Sequence, residues 1–169
     1  MTNEFKEPVT RRLADFIVKI GLEIIPTSLT SKTFLPGILV ENGSILVDES
    51  KLTYPGDLLH EAGHLAMAPS NIRTSLSGEV ALPGVRMEPM EVSVIAWSYA
   101  AIVHLGLDPR VVFHEGGYGV ESERLLNNYN LGVYIGANGL QDAGLTALGD
   151  NAKELGVPPY PHMLKWLRD

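Results

Sequence analysis

The chain has 169 residues, of which 45% are hydrophobic and 20% charged, with a formal net charge of −7 and no cysteine. That length and balance suit one globular domain with a core of its own. The acidic balance, with Arg11-Arg12 the one adjacent basic pair, argues against direct nucleic-acid binding, and the lack of cysteine excludes disulfides and thiolate metal sites.

Taken in chain order, Glu7 to Ile24 carries Leu13, Phe16, Ile17, Ile20 and Ile24 at helical intervals behind Pro8, which predicts a helix. Two short apolar runs, 37–41 and 44–48, flank Asn42-Gly43. Both residues of that dipeptide tolerate positive φ, so the spacing predicts a β-hairpin. Asp48 to Met67 reads DESKLTYPGDLLHEAGHLAM. Here Pro55 suits an early helical position, Asp57 meets the helix dipole, and Leu58, Leu59, Ala62, Leu65 and Ala66 form an apolar face. Pro69 closes this helix by disfavouring helical backbone at Ala68. The stretch from Pro69 to Pro83 is rich in Ser, Gly and Pro and is expected to be a loop with at most a short strand. A second long apolar helix is predicted from Pro89 to Leu105, capped by Gly106. Short helices are expected from Pro109 to Glu115, stopped by Gly116-Gly117, from Val120 to Asn130, and after Pro161. The order of elements predicts an α+β fold with a small antiparallel or mixed sheet, in a single domain over 1–169. The polar N-terminus MTNEFKEPVTRR is unlike a signal peptide, and no apolar run approaches the roughly 18 residues of a membrane span. The expectation is a soluble, cytoplasmic protein.

The most informative segment is His60-Glu61-Ala62-Gly63-His64. Side chains four apart on a helix lie on one face about a turn from each other, so two imidazoles can point at one metal ion. Glu61, a quarter-turn round, can reach a water at the metal rather than the metal itself, the H-E-x-x-H arrangement of zinc hydrolases. A catalytic zinc needs three protein ligands and an open position. The extension of the motif with a third histidine is excluded, because its glycine and histidine positions hold Met67 and Ser70. A downstream carboxylate is therefore required. Glu88 and Glu91 both qualify, three apart at the start of the second long helix, while Glu79 sits in a predicted loop. Rigid placement inside the first helical turn favours Glu91, whereas Glu88 precedes a proline and suits a capping role.

With a glycine-led hairpin, then LLHEAGHL, then a helix opening with Glu91 twenty-seven positions after His64, the chain resembles the ImmA/IrrE-type zinc metallopeptidases of the zincin superfamily. The resemblance covers about 37–107, leaving 108–169 as a C-terminal extension. It implies a zincin-like domain with one zinc ion, His60, His64 and Glu91 as metal ligands, and Glu61 as the catalytic base. The second helix departs from the family pattern Glu-x-x-Ala-Asn-x-Phe-Ala, having Val94 and Ile95 where Ala and Asn would fall.

The function expected is a zinc-dependent hydrolase, with a peptide or protein substrate, which could pair with the Ser44–Asp48 strand if that strand is a sheet edge. The alternative is a non-catalytic module that keeps the zincin fold and binds a metal or a partner. Neither nucleic acid nor membrane is expected as a partner. His114, in a glycine-rich turn with Tyr118, could line a cleft and donate to an oxyanion, or simply end a helix. His104 falls on the far side of its helix from Glu91 and reads as structural, His162 has no evident partner, and Tyr99, Trp97 and Trp166 read as packing residues.

Overall fold

The computed structural model describes residues 4–78 and 87–169, with side chains from Pro89 onward in the second stretch. It is an α+β fold. Helix α1 (Pro8–Lys19) opens with its proline in the first turn and buries Leu13, Ala14, Phe16 and Ile17. The predicted continuation to Ile24 does not form. Gly21 takes φ 99°, which ends the helix, and Ile24 falls in strand β1 (Glu23–Pro26). Ile17, Ile20 and Ile24 keep helical spacing by coincidence, since Ile24 packs by pairing with a strand distant in sequence.

Strands β2 (Ile38–Glu41) and β3 (Ser44–Val47) form the expected hairpin. Its turn has Asn42 at φ 50° and Gly43 at φ 76°, the positive-φ pair that a two-residue turn needs. The sheet order is β1-β3-β2, with β1 parallel and β2 antiparallel to β3. The 44–48 strand is thus central rather than an edge, and the expected pairing of a peptide with it is overturned. Both of its sides are occupied, because the 23–26 segment, hidden in the helical periodicity, supplies the third strand.

Helix α2 (Asp57–Met67) carries the motif and ends where Ala68 turns to extended backbone, ψ 136°, ahead of Pro69. Leu58, Leu59 and Leu65 are fully buried, each contributing about 1.5–3 kcal/mol of burial free energy. The expected loop after Pro69 begins with a helical turn, α3 (Ser70–Arg73). Helix α4 (Met87–His104) has apolar residues all round and is correspondingly buried on more than one side, with α2 against one flank. Ser98 of α4 donates to the Leu59 carbonyl of α2 at 3.2 Å.

Beyond α4 the chain makes a 3-10 turn (Pro109–Val111), then α5 (Glu115–Tyr118), α6 (Glu121–Asn130), α7 (Ala137–Asp142) and α8 (Gly149–Leu155). The predicted helix from Pro109 to Glu115 is broken at His114, whose extended backbone starts α5, and Gly116-Gly117 lie inside α5 rather than stopping a helix. No helix follows Pro161. That segment instead lays Trp166 edge-on against Phe16 and Trp97, and the Trp97 indole N–H donates to the Trp166 carbonyl at 3.0 Å. Residues 108–169 also close the other flank of α4, where α7 packs and the Tyr160 hydroxyl donates to the Ala96 carbonyl at 2.8 Å. No described helix is long and apolar enough to cross a membrane.

Candidate metal centre

Helices α2 and α4 pack tightly at Gly63. A Cβ there would lie 3.0 Å from Val94 Cγ1 and 3.3 Å from Trp97 Cε3, so hydrogen at this position sets the spacing of the two helices. Near that contact His60 and His64 project from α2 and Glu91 from α4, which starts at Met87, two residues before the predicted Pro89, so that Glu91 falls just past its first turn. One nitrogen from each histidine and one Glu91 oxygen lie within 4.8 Å of one another. Glu91 Oε2 is 3.3 Å from His60 Nε2, Glu91 Oε1 is 3.2 Å from His64 Nε2, and the two Nε2 atoms are 3.1 Å apart.

These distances are close enough for the three side chains to hold one metal ion. With zinc–ligand lengths of roughly 2.0–2.1 Å, neighbouring ligands on a tetrahedron stand about 3.3–3.4 Å apart. If both imidazoles donate to Glu91 through Nε2, two N–H groups are left opposed across the 3.1 Å between them, so only one of the two can donate without that conflict. A cation resolves that conflict. Two imidazoles and one carboxylate also form a donor set that suits zinc. The side chains are graded in exposure, with His64 at 6%, His60 at 20% and Glu91 at 39%, so the group is rooted in the core and open on the Glu91 side. Hydrogen bonds from the His60 and His64 imidazoles hold the Glu91 carboxyl well below the usual carboxylate range, against the opposing effect of burial.

Glu61 is not one of these three ligand candidates. It forms part of the wall of a groove of about 230 Å³ between the 31–35 loop and β2, lined by Phe34, Leu35, Ile38 and Val40 among others. Glu79 lies outside the described residues, as does the side chain of Glu88.

The outer nitrogens of the two histidines differ in their surroundings. The Tyr118 hydroxyl lies 3.3 Å from His60 Nδ1. Its pKa is pushed up by burial and, secondarily, by the charges of Asp57 and Glu91, so it stays a neutral phenol. His64 Nδ1, by contrast, is buried without a hydrogen-bond partner among the described residues. His114 takes neither role considered for it. Its Nδ1 accepts the Gly117 N–H at 3.1 Å as the N-cap of α5, and its Nε2 sits 2.8 Å from Asp57 Oδ1. With Nδ1 an acceptor, the ring proton is on Nε2 and is donated to Asp57, leaving none for an oxyanion. Asp57 therefore does more than complement the helix dipole. His104 packs its ring against Phe16 and Trp166, the His162 carbonyl accepts from the Thr146 hydroxyl, and Tyr99 lies in a buried aromatic cluster with Phe113, Tyr129 and Tyr160.

Comparison with protein-family models, with curated proteins and with solved structures finds no match to this chain.

Proposed function

We propose that the protein is a zinc-dependent hydrolase of the zincin type, acting on peptide bonds. The observation that carries the reading is the convergence of His60, His64 and Glu91 on one point, with Glu61 next to His60 on α2 and forming part of the wall of a groove. His60, His64 and Glu91 would hold the ion. Zinc bound there supplies a Lewis acid that polarises a carbonyl and makes a water acidic at neutral pH. Glu61 accepts the proton of the attacking water and returns it to the departing amine nitrogen, a role that suits a carboxylate beside the ligands rather than among them. The groove along β2 offers mainly apolar side chains to an extended peptide. The Gly78 N–H already bonds to the Val40 carbonyl on the outer side of β2 at 2.8 Å, so a peptide would be held there chiefly by side-chain contacts.

Metal analysis of the protein as purified tests this. We expect about one zinc per chain, lost in His60→Ala and His64→Ala, because a two-ligand site holds zinc weakly. Glu61→Gln should keep the zinc and lose hydrolysis of a peptide library, since the amide cannot take a proton. Zinc retained in the His60→Ala/His64→Ala double variant would refute the site. A zinc-loaded wild type that cleaves no peptide would favour the module that binds without catalysis.

A further inference from the structure

The segment 109–118 is seated on the start of the motif helix by contacts that leave it little freedom. A Cβ on Gly56, just ahead of α2, would lie 1.9 Å from the Val111 carbonyl oxygen, so the 3-10 turn rests directly on the helix start. Next to it, His114 is fixed from three directions. It accepts the Gly117 N–H, donates to Asp57 at 2.8 Å, and stacks on Tyr54 with ring centroids 4.0 Å apart and planes 8° from parallel. The side chains of His114 and Asp57 are 8% and 11% exposed, so this pair is shielded from competing water. Gly116 is part of the device, because a Cβ there would come 2.1 Å from the Tyr54 ring. The result is a short helix whose last residue, Tyr118, is delivered to His60, one turn along α2 from Asp57.

We propose that Tyr118 is a positioning residue for the metal centre, orienting His60 through its Nδ1, and that the His114–Asp57 pair is the clamp that holds Tyr118 there. The proposal rests on the metal reading of His60, His64 and Glu91. For His60 Nε2 to face a metal it must be unprotonated, so the ring proton sits on Nδ1 and needs an acceptor. The Tyr118 oxygen, 3.3 Å away, is that acceptor. His64 has no such acceptor among the described residues, its Nδ1 being buried without a partner. It is nearly buried, at 6% side-chain exposure, and packing alone restricts its ring, whereas His60 at 20% lies nearer solvent. The two histidines of one motif are thus held by different means: one by the core, the other by a phenol brought in from a turn 58 residues away.

The test uses the full chain and zinc alone, with affinity read by competition against a chromophoric chelator and unfolding of the metal-free protein followed by circular dichroism. Tyr118→Phe keeps the ring and its edge contact with Phe113 but removes the acceptor. We expect zinc affinity to fall about 10- to 100-fold, the usual effect of losing a partner behind a ligand, with the metal-free midpoint nearly unchanged. Asp57→Asn should weaken zinc in the same direction by loosening the clamp. In the Tyr118→Phe background it should add nothing further, because it acts only through Tyr118. Equal zinc affinity in wild type and Tyr118→Phe overturns the proposal. So does full additivity of the two substitutions, or a lowered metal-free midpoint with affinity intact, which is the mark of a purely structural tyrosine. If the wild type itself takes up no zinc, the metal reading fails and this one with it, a result distinct from a wild type that binds and a variant that binds equally well.

Discussion

Removing the third ligand separates a metal centre from a mere hydrogen-bonded cluster. Four-ligand structural zinc sites bind with about 10–16 kcal/mol, or roughly 2.5–4 kcal/mol per ligand. At 1.4 kcal/mol per decade, Glu91→Ala should therefore weaken zinc by about 10²- to 10³-fold. The fold itself should suffer little. The Glu91 side chain is 39% exposed, and its ion pairs with the histidines are partly screened by solvent, so metal-free stability should change by less than about 1 kcal/mol. Chelator competition reports the affinity, and urea unfolding in the presence of a chelator reports the stability. Glu91→Gln, which keeps the shape but not the charge, should fall between wild type and alanine. Glu88→Ala serves as the control and should cost only a helix-end contribution, about 0.5–1 kcal/mol of stability. Wild-type affinity in Glu91→Ala would refute the assignment. A loss in Glu88→Ala equal to that expected of Glu91→Ala would transfer the role to Glu88.

Two further outcomes follow from the packing. Gly63→Ala should destabilise the protein by about 1 kcal/mol, since overpacking of about 1–3 kcal/mol outweighs a helix-propensity gain of up to about 1 kcal/mol. Val94 and Trp97 are fully buried and have little room to yield; a melting temperature equal to or above wild type would show that the α2–α4 spacing is not set there. Asp48 accepts from the Leu29 N–H at 3.0 Å and from the Ser50 hydroxyl at 2.6 Å, and these bonds lower its pKa, that of Ser50 most. A depressed carboxylate stabilises the fold above the unfolded pKa of about 3.9 and loses that contribution as pH falls through the folded value. Asp48→Asn should therefore be less stable than wild type at pH 7, with the gap narrowing below about pH 4 in urea titrations. A gap independent of pH would mean that the carboxylate charge is irrelevant.

Local geometry made the centre of this molecule readable from residues alone. Helical spacing puts His60 and His64 on one face and turns Glu61 aside, whatever the rest of the chain does. Asn42-Gly43 specifies its turn through the φ values its own backbone tolerates, and Pro69 ends α2 by steric exclusion. The elements that misled are those whose form depends on distant partners. Ile24 keeps the helical phase of α1 yet lies in β1, because Gly21 breaks the helix and β3 offers a pairing edge. The segment after Pro161 stays irregular because it fills space over Phe16 and Trp97 rather than burying a helical stripe. Glu91 could be nominated from its place in a helix, but its distance from the histidines depends on how closely two helices cross at Gly63. The turn carrying Tyr118 could be nominated as cleft-lining from its glycines, but its contact with His60 could not, since a contact across 58 residues arises only when the Asp57–His114 pair and the Tyr54 stack bring that turn down onto α2. Sequence determined the donors on the motif helix through bonds and angles a few residues long; tertiary packing alone decided what completes and orients them, because those contacts are made between surfaces that the chain brings together only on folding.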